Sequence, residues 1–192
     1  TPITIDVVSD PRCPWCYVAH HRIAKAVAQL LPKSTEISAT AATTSPSPSP
    51  SPSPSPVVVR FQPFFLDDTL PLEGVDRAAY YRRRFGDEAM ARVDAQMRGV
   101  FEAEGIGHAY AAHGTASSSL PAHRLLAYAQ RRCPDDPAVV ERVAAELFRR
   151  YFSTSSSSSS SSLDGSGDGG ENIASPEVLA SVAAAAGLGE AL

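Results

Sequence analysis

The sequence predicts an α/β fold, in which a βαβ unit is followed by a long all-helical segment. Three observations support this fold class: an apolar run with strand character at 3–8, a helix-periodic segment from Cys16 onward, and a second β-branched run at 57–63. A strand, a helix and a strand in series favour parallel pairing with a right-handed crossover. From 75 to 151 the apolar residues recur at helical spacing, so we expect the rest of the chain to be helical.

The first strand leads into two cysteines that stand three residues apart. The residues of 3–8 alternate in the manner of a short strand. Pro14 suits the first turn of a helix, where a backbone N–H has no partner. We therefore expect Cys13 at the N-cap and Cys16 one turn further in. One face of this helix is apolar and consists of Ala19, Ile23, Ala26, Val27 and Leu30.

This placement predicts a redox-active pair. Unpaired N–H groups at a helix start favour a thiolate on Cys13, and Cys16 is placed to resolve a mixed disulfide. Zinc ribbons use the same spacing, and His20 could complete a Cys-Cys-His cluster. No second CxxC exists and the strand–CxxC–helix context is the redox arrangement, so we predict catalytic cysteines and no metal site. His20 and His21 are expected to face solvent.

Composition limits the function classes further. The chain has 192 residues, of which 43% are hydrophobic, and a net charge of −4. This length suits one domain, or a domain with a large insertion, and the charge does not indicate a nucleic acid or an anionic membrane as partner. No apolar run reaches the length of a membrane span. The first residues have the pattern of a strand and not of a signal peptide, so we expect a cytoplasmic protein. A leader removed before Thr1 stays an open alternative.

Two low-complexity tracts divide the chain. The tract at 34–56 ends in six Ser-Pro dipeptides, and the tract at 153–172 is a serine run followed by glycine and aspartate. Neither can bury apolar area, so we expect both to be disordered. The predicted units are an N-terminal βαβ part, 1–66, and a helical subdomain, 67–192.

Three apolar stripes predict core-forming helix faces in the second unit. The hydroxyls at 117–119 are candidate N-caps, Ser175 is expected to cap a last helix, and Gly187 to end it. The stripes are Met90, Val93, Met97, Val100 and Phe101; Leu125, Leu126 and Ala129; and Val140, Val143, Ala144, Leu147, Phe148 and Tyr151.

An apolar loop follows the second strand. Phe64 and Phe65 leave the strand at its carboxyl end, where ligands gather in parallel sheets. Packing in the core is an equally good interpretation of these two rings.

With the elements in place, the chain resembles the DsbA-like thioredoxin family, specifically its FrnE-like branch, which inserts a helical subdomain into a thioredoxin fold. The matching pieces occur in family order and cover nearly all of the chain outside the two tracts. They are Cys13-Pro14-Trp15-Cys16-Tyr17, Pro63-Phe64-Phe65-Leu66-Asp67, Ala122-His123-Arg124-Leu125-Leu126-Ala127-Tyr128-Ala129, Leu147-Phe148-Arg149-Arg150-Tyr151-Phe152 and Glu177-Val178-Leu179.

The resemblance implies a protein-disulfide oxidoreductase. Cys13 would attack and Cys16 would resolve, with Pro14 and Trp15 completing the active-site motif. Its substrates would be protein or small-molecule disulfides and thiols, with no resident cofactor. The residues expected next to the substrate are Phe64, Phe65 and His123.

Two alternatives stay open. Neighbouring families include hydroxychromene-carboxylate isomerases and kappa-class glutathione transferases, in which a serine commonly stands at the position of Cys13. A glutathione-dependent small-molecule enzyme of that kind would not need Cys16. An inactive binding module is the other alternative.

The sequence departs from the family pattern in two places. Relatives tend to have Asn-Thr where this chain has Ser118-Ser119. Thioredoxin-like folds also return to further strands, the first preceded by a cis-proline, whereas the last proline here, Pro176, opens a helix. We therefore expect a chain that lacks the terminal strands and reduces protein disulfides poorly. An exposed strand edge at 57–61 would make it prone to self-association.

Overall fold

The computed structural model, which describes residues 3–30, 57–106, 113–153 and 169–188, contains the predicted βαβ unit. Strand β1 is Ile3–Ser9, helix α1 is Pro14–Leu30 and strand β2 is Val57–Pro63. The two strands pair in parallel, in a register that runs from Ile3 opposite Val57 to Ser9 opposite Pro63. The predicted α/β fold class is confirmed.

Helices dominate the remaining described residues. Two short strands also form an antiparallel pair, which the sequence did not predict because two-residue strands carry no periodic signal. The elements are β3 (Val75–Asp76), α2 (Arg77–Phe85), α3 (Asp87–Glu104), β4 (Thr115–Ala116), α4 (Leu120–Arg132), α5 (Pro137–Phe152) and α6 (Pro176–Ala185).

Helix α5 lies at the centre of the core. It packs against α1, α4, α6 and β2, and the whole third apolar stripe is buried, as predicted. The core includes residues of the βαβ unit as well: the ring of Tyr17 stacks on Phe148 with 5.1 Å between centroids, and Phe61 is buried in the same cluster. The helical segment therefore packs on the face of the two-stranded sheet that carries Phe61.

The outer edge of β2 is covered at Phe61 by a side chain of α4. The Gln130 amide accepts a hydrogen bond from the Phe61 N–H at 2.7 Å and donates one to the Phe61 carbonyl at 3.2 Å. The prediction of an exposed edge at 57–61 is wrong at this residue, because an amide side chain can satisfy one donor and one acceptor as a neighbouring strand would. The exposed apolar side chains lie on β1 instead, where Ile3 is 62% exposed and Val8 64% exposed. Self-association stays a prediction.

The first stripe is only partly in the core. Met97 and Phe101 are buried, but Val93 is 38% exposed and Met90 is half-buried. The prediction that this whole stripe forms core is therefore wrong for its first half, which lines a surface pocket together with α2.

His20 is buried, so the prediction that it faces solvent is wrong. Its Nε2 lies 2.9 Å from Oε1 of Glu141, and its ring packs against Phe61 and Phe148. A histidine four residues after Cys16 faces the core because α5 packs on that side of α1, which a single-helix pattern does not reveal. His21 is half-buried and its Nε2 contacts the carbonyl of Glu104 at 3.0 Å.

The helix caps are those predicted from the sequence, with one exception. The Ser175 hydroxyl accepts from the N–H of Val178, and Gly187 adopts a positive φ of 78° directly after Ala186, the C-cap of α6. Ser119 is the N-cap of α4 without a side-chain hydrogen bond, and the Ser118 hydroxyl accepts from the N–H of Leu120 instead.

The tract at 34–56 lies outside the described residues, as does most of 153–172. The end of the second tract is packed against the fold. Gly170 forms a bridge to Gly114, and Glu171 accepts a hydrogen bond from the Arg150 side chain at 3.0 Å. Disorder is therefore a wrong prediction for residues 170–172.

Substituting Gly170 tests this packing. A Cβ on Gly170 would lie 2.6 Å from an Arg77 guanidinium nitrogen and closer still to the Tyr151 carbonyl oxygen. Gly170→Ala should therefore lower the free energy of unfolding by about 1–3 kcal/mol or more. Gly99→Ala, in helix α3 with no atom near the added Cβ, should raise it by about 0.5–1 kcal/mol. Urea denaturation measures both, and equal effects of the two substitutions would contradict the packing described for Gly170.

Candidate active site

The two cysteines lie at the start of α1, where the sequence places them. The carbonyl of Cys13 accepts the first helical hydrogen bond, from the N–H of Tyr17 at 3.2 Å, which makes Cys13 the N-cap. The Cys13 N–H donates to the carbonyl of Asp10 at 2.9 Å and closes the turn between β1 and α1. Both thiols are free and half-buried.

The pKa values of the two thiols move in opposite directions. A hydrogen bond from the Cys16 side chain lowers the pKa of Cys13 to about 6, with further help from the backbone N–H groups of Cys16 and Trp15. The same side-chain hydrogen bond, together with burial, raises the pKa of Cys16. Near neutral pH the Cys13 thiolate therefore accepts a hydrogen bond from the S–H of Cys16.

Asp10 ties the cysteine turn to the loop after β2. It is fully buried, and its carboxylate accepts the N–H of Arg12 at 2.9 Å and the N–H of Leu66 at 2.8 Å. The Phe64 N–H donates to the carbonyl of Ser9 at 3.0 Å and extends the same connection. Asp10 therefore fixes the loop beside Cys13.

His123 holds this loop from the opposite side. Its Nε2 lies 2.9 Å from the carbonyl oxygen of Phe64, and its ring meets Phe65 edge to face at 4.9 Å between centroids. Burial lowers the pKa of His123, so the ring is neutral near pH 7, and Nε2 carries the proton because a carbonyl can only accept. The fold thus brings together the three residues that were predicted to lie next to the substrate.

Exposed apolar side chains border the cysteine turn and this loop. Trp15, Phe64 and Leu66 are all about half exposed. The sequence left two interpretations of Phe64 and Phe65, a ligand contact and packing in the core. Phe64 faces solvent, whereas Phe65 packs on His123, so each ring fits one of the two interpretations.

Two residues of the site were missed at the level of sequence. Aspartate is a common turn residue at the end of a strand. The position of Asp10 between β1 and the cysteines was therefore a sequence signal for a carboxylate that binds backbone N–H groups of this turn. Arg12 is 1% exposed, and its Nη1 donates to the carbonyl of Asp67 at 3.1 Å. No sequence pattern distinguishes a buried arginine at this position from a solvated one.

Two further properties concern only the described parts of the chain. They contain no group of three or more His, Cys, Asp or Glu side chains arranged to hold a metal ion. None of their helices has the length and apolar character needed to cross a membrane.

A parallel βαβ unit with a CxxC pair at the helix start, covered by a helical layer, is the arrangement of a thioredoxin-like protein. The model of the DSBA-like thioredoxin domain matches residues 4–165, and the chain belongs to that family. The fold is also similar to the crystal structure of a probable DsbA oxidoreductase from Streptomyces coelicolor, with a TM-score of 0.61 and 22% sequence identity. The likeness covers 97% of this chain and 63% of the Streptomyces chain, and at this identity it concerns the fold alone. No curated protein matches the sequence.

Alkylation tests the difference between the thiols. Because the pKa of Cys13 is lowered to about 6, its reaction with iodoacetamide should rise with pH to half its plateau rate near pH 6. At pH 7 Cys13 should react about tenfold or more faster than Cys16 and Cys133. Peptide mass spectrometry of the quenched reaction assigns the rates, with Cys13→Ser as the control that removes the fast phase. Equal rates for the three thiols between pH 6 and 8 would contradict the described hydrogen bonds.

Proposed function

We propose that the protein is a thiol–disulfide oxidoreductase of the FrnE-like branch, with Cys13 as the attacking thiol and Cys16 as the resolving thiol. The observation that carries the proposal is the position of Cys13 at the N-cap of α1, with Cys16 one turn further in, where the Cys16 thiol and neighbouring backbone N–H groups lower the pKa of Cys13. The CPWC motif and the helices that follow the βαβ unit support the branch assignment. The chain spans 63% of the length of the probable DsbA oxidoreductase from Streptomyces coelicolor.

The reaction begins with attack by the Cys13 thiolate on one sulfur of a substrate disulfide. The substrate S–S bond breaks, a mixed disulfide forms on Cys13, and the leaving thiolate takes a proton from solvent. Cys16 then loses its proton and attacks the Cys13 sulfur, which releases the second substrate thiol. The substrate disulfide gains two electrons and two protons, and the protein dithiol becomes a disulfide.

The pair changes its own chemistry during this cycle. Hydrogen bonding to Cys13 and the negative charge of Cys13 both raise the pKa of Cys16. In the mixed disulfide the Cys13 sulfur carries no charge and no longer raises the pKa of Cys16. The Cys16 thiol can therefore lose its proton at the step in which it acts as the nucleophile. In the opposite direction, a stabilised Cys13 thiolate favours the reduced pair, which makes the disulfide form an oxidant.

The substrates we propose are protein and small-molecule disulfides, with glutathione as a thiol partner. The exposed side chains of Trp15, Phe64 and Leu66 offer apolar contacts beside Cys13. The loop that carries two of them is fixed by Asp10 and His123, so little ordering is required when a substrate binds.

Trapping the mixed disulfide tests the proposal. Cys16→Ser cannot resolve the intermediate, so incubation with glutathione disulfide or insulin should leave a stable adduct on Cys13, detectable by intact-mass and peptide mass spectrometry. Cys13→Ser should form no adduct at position 16 at a comparable rate, because Cys16 lacks the lowered pKa. Cys133→Ser is the matched control and should react like the unmodified chain, since Cys133 lies at the C-terminal end of α4.

Two outcomes would overturn the proposal. One is a Cys16→Ser protein that forms no adduct with either disulfide. The other is a Cys13→Ser protein that still exchanges as fast as the unmodified chain. Turnover of a glutathione-dependent small-molecule reaction that is undiminished in Cys16→Ser would favour the isomerase or transferase alternative.

A further inference from the structure

One edge of the two-stranded sheet is open in the part of the chain that the structure describes. Strand β1 pairs with β2 along one edge, and no described residue pairs with its other edge. The side chains of Ile3, Ile5 and Val7 lie on the face of the sheet that carries Phe61, yet Ile3 is 62% exposed. An open strand edge with apolar side chains is a site at which a further strand can pair.

Helix α1 has an exposed apolar stripe. Starting from Cys16, its apolar residues recur at spacings of three and four, the pattern of a helix that packs lengthwise on another helix. Leu30 is 63% exposed, Ala19 and Ala26 are exposed, and Ile23 is half-buried. We call these four residues, Ala19, Ile23, Ala26 and Leu30, the α1 stripe.

The α1 stripe lies on the same side of the βαβ unit as the open edge of β1. One flank of α1 faces α3, where Arg22 and Lys25 contact Glu104, and another lines a groove with β2 and α5. Cys16, one turn before the stripe on the same helix face, receives a backbone hydrogen bond from Asp10, which directly follows β1. The stripe therefore runs along the β1 flank of the helix.

We propose that two copies of this chain form a dimer in which the open edges of the two β1 strands pair antiparallel and the two α1 stripes pack on each other. A twofold axis perpendicular to the sheet brings the same strand edge and the same stripe from each copy, so the surface is complementary to itself. The product is a four-stranded sheet in the order β2-β1-β1-β2, with both α1 helices on one face.

The spacing of the strands brings the two helices to packing distance. Each α1 connects its own β1 and β2 and lies above them, so the two helices are about two strand spacings, or roughly 10 Å, apart. Helices pack at axial distances of about 8–10 Å. A lone strand from another protein would pair with β1 as well, but it would leave the α1 stripe in water. The second copy is the partner that covers both features.

Charge and polarity favour one register of the paired strands. With Ile5 opposite Ile5 of the second copy, Ile3 lies opposite Val7, and the face below the helices contains apolar pairs. On the other face Thr4 then lies opposite Asp6. A shift by one residue in each strand would place Asp6 opposite Asp6 of the second copy, and like charges directly opposite each other destabilise a strand pair.

Disulfide trapping tests this register on the full chain. Ile5→Cys is introduced into a protein whose three cysteines are replaced by serine, so that only the new thiol can oxidise. Opposite residues of antiparallel strands have Cα atoms about 4.5–5.5 Å apart, which a disulfide can bridge, so mild oxidation should yield a covalent dimer. Val8→Cys is the matched control. Val8 is 64% exposed, but its two copies would lie roughly 20 Å apart in this register and should not cross-link.

Sedimentation equilibrium of the reduced chain tests the helix contact. The unmodified protein should show a monomer–dimer equilibrium over a concentration series. Ala26→Glu places two like charges in the contact between the stripes and should weaken the dimer by about tenfold or more. Ala91→Glu, which adds the same charge at an exposed alanine of α3, should leave the equilibrium unchanged.

Charge changes at Thr4 give a result of opposite sign for two variants of one exposed position. Thr4→Lys should strengthen the dimer and Thr4→Glu should weaken it, because position 4 lies opposite Asp6 of the second copy. Two such pairs form in each dimer, so each change should be about 2- to 30-fold. The same two substitutions at Gln96, an exposed residue of α3, are the control and should have no effect.

Three outcomes would overturn the proposal. A chain that stays monomeric over the whole series would leave the β1 edge to a strand of another protein. A dimer that Ala26→Glu leaves intact, or one in which Ile5→Cys and Val8→Cys cross-link equally, would place the contact elsewhere. These results are independent of the proposed thiol chemistry, because the cross-linked protein lacks Cys13 and Cys16.

Discussion

A two-stranded parallel sheet cannot bury its own apolar side chains, and this constraint explains how the helices are arranged. Helix α5 has an apolar face along most of its length, and it lies against β2 and α1. Tyr17, Phe61 and Phe148 form the contact between the βαβ unit and the helical segment. Helix α4 contributes the side chain of Gln130, which forms hydrogen bonds with the backbone N–H and carbonyl of Phe61 at the edge where another strand would otherwise pair. The helical segment thus completes the core that the sheet begins.

The same packing assembles the site. Since α4 is anchored on β2, its first turn brings His123 to the loop that follows this strand, and His123 holds the carbonyl of Phe64. Asp10 fastens the loop from the cysteine side through the N–H of Leu66. Residues that are distant in sequence therefore meet at the carboxyl ends of β1 and β2, next to a thiolate that the helix start alone would already favour.

The features that sequence could predict are local ones. Strand alternation, the proline at the first helical turn and the cysteine spacing each act within a few residues, so β1, β2, α1 and the N-cap position of Cys13 were predictable. The burial of His20 depends on Glu141, which is 121 positions away in the chain, and the exposure of Val93 depends on where α3 leaves the core. A periodic stripe shows that a face is apolar, but it does not distinguish a face in the core from one that lines a pocket.

The buried arginines show most clearly where local reasoning ends. Taking a guanidinium out of water is costly unless it is paired, and Arg77 is stabilised by the Tyr151 ring and the Thr115 carbonyl. Arg12 directly precedes Cys13, yet its burial arises from α2 and the loop at Asp67, which approach it only in the folded chain. The reactivity of Cys13 and the surroundings of the pocket lined by α2 and α3 thus have separate origins, the first in the start of one helix and the second in the packing of several elements. A change in α2 or α3 can therefore alter the lining of the pocket without altering the hydrogen bonds that stabilise the Cys13 thiolate.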